Sequence, residues 1–172
     1  MSNILVRYAV SEDAEQFVEL QKILTIESEY LLSTCDEVAR MVVDKQRQQF
    51  VKMSSGELPS RVIVAVSDND LIGFLGFTFN QMNKNRHVVS RIAIGVINKF
   101  KRKGVATSLL KFFEQSVSNS GVSRIEFNVI STNLAALSLY LKYGYKIEGV
   151  RQKSVLQNTE TFVDEYYIAK LL

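Results

Sequence analysis

Apolar positions fall into two rhythms along the chain. Near-continuous or alternating β-branched and aromatic runs at 4–10, 61–67, 71–79, 87–96, 124–130, 145–156 and 161–172 predict strands. Between them, apolar residues recur every three to four positions. Ala14, Phe17, Val18, Leu20 and Leu24 give one helix face, introduced by Ser11, Glu12 and Asp13. Thr34 and Glu37 match a capping box, predicting a second helix that turns Val38, Met41 and Val42 inward. Val105, Leu109, Phe112 or Phe113 and Val117 define a third, ending before Gly121, and Asn133 caps a fourth that stops at Gly144. Asp68, Asn69 and Asp70 make a tight turn joining two strands into a hairpin, and Gln157 to Glu160 a polar turn between the last two. The order β, α, α, β, β, β, α, β, α, β, β predicts an α/β (α+β) domain over residues 1–172. Its centre is a mixed, mostly antiparallel sheet, because the hairpins impose antiparallel pairing and the strand-helix-strand units favour parallel pairing.

The 172 residues, 47% hydrophobic and 23% charged, can form a core without metal or disulfide support. Cys35 and His87 are the only cysteine and histidine, so a zinc site, a Cys/His nucleophile pair and a Ser-His-Asp triad have little to rest on, and no metal is expected. No apolar run reaches membrane-spanning length and residues 1–10 lack a secretory pattern, so neither membrane insertion nor export is expected and a cytoplasmic location is.

Charge adds a location. Four cations, Lys99, Lys101, Arg102 and Lys103, occupy five residues; outside that stretch 17 cations face 18 anions. A local excess fits one defined anionic ligand better than a polyanion gripped along a face, and only Phe100 offers a stacking ring, so nucleic acid is not an expected partner. The cations precede the helix opening at Gly104, where unpaired amides and the positive end of the helix dipole suit phosphate. Gly104 permits close backbone approach and Ala106 does not obstruct it. A solvated basic loop is the bland reading of the same residues. Neither a Walker loop nor a G-x-G-x-x-G fingerprint is present. Downstream, Asn133, Ala136 and Tyr140 form N-x-x-A-x-x-x-Y, followed by Tyr143, Gly144 and Tyr145. Helical spacing puts Ala136 and Tyr140 on one face, although Tyr140 read alone is a core tyrosine and Asn133 an N-cap.

Together and in this order, the two elements resemble the GNAT superfamily of N-acetyltransferases, across about residues 61 to 150. The family's R/Q-x-x-G-x-G/A motif reads Lys101, Arg102, Lys103, Gly104, Val105, Ala106, and its N-x-x-A-x-x-x-Y-x-x-x-G-[FY] motif runs from Asn133 to Tyr145. The stretches 148–150 and 164–167 look like the branch holding ribosomal-protein N-terminal and small-amine acetyltransferases. Lys101 replaces the usual Arg or Gln, Asn98 stands where proline is common, and Arg102 where glycine is common. A positive φ at Arg102 would therefore be strained.

The resemblance implies a GNAT-like acyl-CoA N-acyltransferase fold with about four helices around the sheet, acetyl-CoA as co-substrate, and transfer of its acetyl group to a primary amine by direct attack on the thioester. It implies pyrophosphate on the amides of Lys101 to Ala106, pantetheine along strand 87–96 against Ile94, Gly95 and Val96, and Thr107 and Asn133 completing the cofactor set. Gly95 is read either as a bulge that splays this strand or as a glycine in a buried strand. A backbone N–H near Val96 would meet the developing oxyanion, and Tyr140 would be the general acid for the departing thiolate. The base is drawn from Glu27, Glu29, His87, Asp164 and Glu165 without assignment. Acceptor choice is expected in residues 25–35 and the strands after Gly149. The long final strands suit pairing in a homodimer. The contrasting class is a non-catalytic CoA-binding sensor or interaction domain that keeps the cationic turn but lacks an acceptor site.

Overall fold

A computed structural model describes residues 4–31, 33–157 and 160–172. One seven-stranded sheet, ordered β1-β2-β3-β4-β5-β7-β6, organises them. Its strands are β1 (Leu5–Tyr8), β2 (Ser60–Ser67), β3 (Asp70–Phe79), β4 (Val88–Val96), β5 (Arg124–Ile130), β6 (Lys146–Leu156) and β7 (Phe162–Leu171). Every neighbouring pair is antiparallel except β4 and β5. The hairpin around Asp68 and Asn69 forms as expected, with both residues at positive φ. Asn158 and Thr159, in the turn expected between the last strands, lie outside the described residues, as does Leu32 in the segment expected to shape acceptor choice.

Among the described residues five α-helices cover the sheet: α1 (Ala14–Glu27), α2 (Cys35–Ala39), α3 (Val43–Ser55), α4 (Val105–Ser118) and α5 (Leu134–Lys142). The expected count was about four, because the single helix predicted from Thr34 is divided into α2 and α3. The capping box forms, with Thr34 Oγ1 accepting from Glu37 N–H at 3.2 Å and Glu37 Oε2 accepting from Thr34 N–H at 2.8 Å. Extended backbone at Val42, the α3 N-cap, then ends continuity, and Val42 is 49% exposed instead of inward.

Both faces of the sheet are buried, which is why its inner strands read as continuous apolar runs. Ile63, Ala65, Ile72, Leu75 and Phe77 face α4, whose Leu109, Leu110, Phe113 and Val117 are fully buried. Burial of each such side chain contributes about 1.5–3 kcal/mol. On the other face, Val64, Leu71 and Phe74 meet Phe17, Leu20 and Leu24 of α1 and Phe50 of α3. The Phe17 ring meets those of Phe50 and Phe74 edge-on at 5.2 and 5.6 Å.

One irregularity positions the site. In β4, Arg91 and Ile92 together oppose the single Phe77 of β3, and Arg91 has φ +55. This bulge bends β4 just beyond its last pairing with β5, Val89 with Ile125. β5 continues along β7 to Ile130, so the two parallel strands part and leave a wedge between their C-terminal ends. The bulge is not at Gly95, which pairs regularly with Phe74. Gly95 is required by packing: a Cβ there would lie 2.8 Å from Leu24 Cδ1 and 2.9 Å from Phe74 Cε1.

Candidate active site

Two adjoining cavities open at the wedge. The first, about 340 Å³, is bounded by the end of β4, the following corner, the N-terminus of α4 and one side of α5. The corner begins with a 3-10 turn, Asn98–Phe100, tied by Phe100 N–H to the Ile97 carbonyl at 2.9 Å and Lys101 N–H to the Asn98 carbonyl at 3.1 Å. Glu27, at the end of α1, accepts from Asn98 N–H through Oε2 at 2.6 Å and pins the corner to that helix. Arg102 and Gly104 then take φ +62 and +84. The strain foreseen at Arg102 is therefore present, and the turn keeps a left-handed path without a glycine there.

Gly104 caps α4 without a side chain, and the first helical bond runs from Ser108 N–H to the Gly104 carbonyl at 2.9 Å. The amides of Val105, Ala106 and Thr107 thus have no intrahelical acceptor and stand at the positive end of a 14-residue helix. Lys99 and Lys103 place their ammonium groups 5.7 and 5.2 Å from the Phe100 ring centre, which gathers positive charge beside these amides. Along the other wall, the β5-facing backbone of Ile94 to Val96 lies beyond the end of the β4–β5 ladder. An extended, amide-bearing chain ending in a pyrophosphate fits this groove: ladder groups for its amides, helix amides for its phosphates.

Of the residues singled out in the sequence, Ile94, Gly95, Val96, Lys101, Arg102, Gly104, Val105, Ala106, Thr107 and Asn133 all line this first cavity. Lys103 does not line it and lies over Phe100 instead. Asn133 also keeps its simpler role, its Oδ1 accepting from Ala136 N–H at 3.1 Å to cap α5.

The second cavity, about 370 Å³, lies where the wedge meets α1 and the α1–α2 connection. It shares Tyr30, Leu31, Ile94, Asn133 and Ala136 with the first. Its walls are largely apolar, with Phe17, Met41, Phe74 and Ile92 among them. Tyr140 lines this second cavity, 4% exposed, its ring 4.7 Å from that of Phe127 and 5.5 Å from that of Tyr145. Burial pushes its phenol well above the ordinary tyrosine range, so the hydroxyl stays protonated and can only donate as a neutral group.

Among the five carboxylate and imidazole groups considered as bases, Glu165 lines the cavity and the other four line neither. Glu165 is 5% exposed, and its Oε2 accepts from Arg151 Nη1 and Ser154 Oγ, each at 3.0 Å. Glu29 is bonded to Gln157, Asp164 accepts from Lys153 N–H, and His87 lies before the opposite end of β4. Two polar lining residues not singled out in the sequence are Gln21 and Asn128; the buried Gln21 Nε2 and Asn128 Oδ1 have no hydrogen-bond partner among the described residues. Gln21 carried a signal: with Phe17 and Leu24 it completes an i, i+4, i+7 row on the buried face of α1. Asn128 carried none, since a polar residue between Phe127 and Val129 reads as the solvent side of an alternating strand.

Among the described residues no metal-holding group of three or more His, Cys, Asp or Glu occurs, and no helix is long and apolar enough to cross a membrane. Comparison with known proteins agrees with this geometry. The chain is 36% identical over 110 residues, 63% of its length and 67% of the relative's, to the L-amino acid N-acetyltransferase AaaT of Escherichia coli K12. Its fold matches a GNAT-family acetyltransferase from Streptococcus pneumoniae with a TM-score of 0.92 at 23% identity, covering 99% of this chain and 100% of that one. It also matches a putative acetyltransferase from Salmonella typhimurium solved with acetyl-CoA, with a TM-score of 0.82 at 15% identity over 99% and 94% of the two chains. The profile of the acetyltransferase (GNAT) family covers residues 19–145, most of the chain and both cavities' central elements, and the chain belongs to that family.

Proposed function

We propose that the first cavity holds acetyl-CoA, that the second receives a primary amine, either a small molecule or a protein N-terminus, and that acetyl transfer takes place where they meet. The observation that carries this reading is the shared wall: two cavities of different chemistry touch at Ile94, Asn133 and Ala136. A CoA-binding sensor without an acceptor site would need no such second cavity. The relative acting on L-amino acids supports the acceptor class.

Bound acetyl-CoA supplies the activated acyl group. The amides of Val105, Ala106 and Thr107 hold the pyrophosphate, with Lys101 and Arg102 adding positive charge. The free edge of β4 at Ile94 to Val96 pairs with the pantetheine arm as an added strand would, and a backbone N–H near Val96 supports negative charge growing on the acetyl oxygen. Tyr140 donates its phenolic proton to the sulfur as the C–S bond breaks and recovers one from the nitrogen that has become the amide. The amine must first shed a proton, since an alkylamine has an ordinary pKa near 10 and a polypeptide α-amine one near 8. Glu165 is engaged by Arg151 and Ser154 and serves to hold the cavity's charge in place; water carries the proton away. The exposed free Cys35 suits the reducing cytoplasm, and β6, one of the sheet's two outer strands, offers an edge for a second copy.

Two measurements test the reading. At about 100 times its dissociation constant, acetyl-CoA should stabilise the fold by about 2.7 kcal/mol, roughly 5–10 °C in melting temperature for a domain of this size. Free thiol should appear when acetyl-CoA and an amine are both present, and not with either alone. A protein that melts identically with and without acetyl-CoA, or that releases thiol at the same rate without amine, overturns it.

A further inference from the structure

The second cavity carries more information than its position. An apolar pocket enclosing buried, unpaired amide atoms is unfavourable unless something completes their bonds. Two such atoms belong to its lining: Gln21 Nε2, a donor on α1, and Asn128 Oδ1, an acceptor on β5. They come from opposite walls. Asn128 lies three residues beyond the last β4–β5 pair and so inside the wedge, whereas Gln21 lies on the α1 face that covers it. The remaining polar groups facing the cavity include Glu165, bonded to Arg151 and Ser154, and Tyr140. One donor and one acceptor therefore await a partner that presents the opposite polarities from within an apolar body.

The geometry points to Gln21 and Asn128 as the pair that selects the acceptor. Asn128 Oδ1 accepts an N–H from the amine, and Gln21 Nε2 donates to a carbonyl or carboxylate oxygen on the same molecule. The acceptor is accordingly an α-amino acid type of amine with an apolar side chain lying against Phe17, Met41 and Phe74. Its α-amine and α-carbonyl are shared by a free amino acid and by a polypeptide N-terminus. This assignment rests on the second cavity being the acceptor site. A bare alkylamine satisfies Asn128 but leaves the Gln21 donor buried and unpaired, and it binds more weakly for that reason.

The test compares L-leucine, L-leucinamide, leucylglycine and isopentylamine, which is leucine without its carboxyl group. Transfer is followed by thiol release, and binding to the protein–CoA complex by calorimetry, which reads the pocket whether or not transfer occurs. The wild-type protein should bind the best oxygen-bearing amine at least roughly tenfold more tightly than isopentylamine. Gln21→Leu keeps the volume and apolar character of the wall; it should bring that ratio close to one without changing the KM for acetyl-CoA. Gln21→Glu should weaken leucine more than leucinamide, by like-charge repulsion. Asn128→Leu should weaken all four amines, isopentylamine included. A preference for leucine and leucinamide over the dipeptide assigns a free amino acid, and the reverse assigns an N-terminus; either supports the pair.

A wild-type ratio near one, or a Gln21→Leu protein that binds acetyl-CoA normally and keeps the full discrimination, overturns the assignment. Amines that bind with the expected ratio but release no thiol would support the pair while defeating the transfer reading. The two failures are thereby told apart.

Discussion

The two cavities are built in opposite ways. The proposed donor groove is built mainly from one stretch of chain, the end of β4, a cationic corner and the first turn of α4, all within residues 94–107, with α5 closing one side and Leu24, Ser28, Tyr30 and Leu31 another. Its polar groups are largely backbone amides, aimed by two left-handed residues and a helix terminus. The proposed acceptor cavity is assembled from α1, the α1–α2 connection, α2, β3, β4, β5, α5 and β7, and its polar groups are side chains that meet only after the sheet has formed. A site made of backbone tolerates side-chain change and depends on torsion angles. A site made of side chains keeps its shape through substitution and loses its selectivity.

The largest effect should come at Tyr140, in the wall of the second cavity. Tyr140→Phe keeps the ring packed against Phe127 and Tyr145 and removes only the hydroxyl. If that hydroxyl protonates the leaving sulfur, kcat should fall by roughly 10²-fold, with the melting temperature and both KM values little changed. The pH profile sharpens the point. Turnover should rise with pH as the amine loses its proton, near 10 for an alkylamine and near 8 for a polypeptide α-amine, and Tyr140 should not limit it on the alkaline side, because burial holds its ionisation above the usual tyrosine value. Unchanged kcat in the phenylalanine variant would remove Tyr140 from the chemistry and leave it as a core residue.

Next in size is the glycine on which the donor groove turns. A Cβ at Gly104 meets no atom within 4 Å, so Gly104→Val tests conformation and the space above the amides, not a clash within the protein. At φ +84 a β-branched residue is strained by about 1–2 kcal/mol. Relief of that strain swings the first turn of α4 away from the groove. The KM for acetyl-CoA should rise by roughly tenfold or more. Amine binding to the protein–CoA complex at saturating CoA should not change, because Gly104 does not line the second cavity. Equal losses on both sides would break the distinction between the cavities.

This contrast explains what was legible beforehand. Residues 94–107 and 133–145 carry their geometry locally: a glycine where φ is positive, an asparagine at a cap, apolar positions at helical spacing. Hence the cationic corner and the helix opening at Gly104 were legible locally, whereas the full cofactor set and the glycine usual at Arg102 came from the family resemblance, and Lys103, named with that set, lies over Phe100 outside the cavity. The division of α2 from α3 was hidden because Met41 and Val42 continue the apolar spacing while the backbone becomes extended at Val42. Gly95 allowed two readings, a bulge or a glycine in a buried strand, and the second holds; the bulge lies at Arg91 and Ile92, whose side chains give no local sign of it. Asn128 and Gln21 lie 107 positions apart and meet one cavity only through the sheet. No spacing rule joins them, and the unpaired atoms that single them out exist only in the folded molecule.

The smallest effect gives the most direct test of a groove made of backbone. Arg102 is exposed and holds φ +62, a conformation that glycine adopts without strain. Arg102→Gly relieves about 1–2 kcal/mol of backbone strain, offset by roughly 0.5–1 kcal/mol of extra chain entropy in the unfolded state, so stability should hold or rise slightly. The path of the corner is unchanged, and the amides of Val105, Ala106 and Thr107 stay where they were. Only one exposed charge beside the anion is lost, and salt already screens it. The KM for acetyl-CoA should therefore rise by less than about fivefold, well short of the Gly104→Val effect. A larger rise would mean that the guanidinium itself grips the phosphates, and the donor groove would then depend on side chains just as the acceptor cavity does.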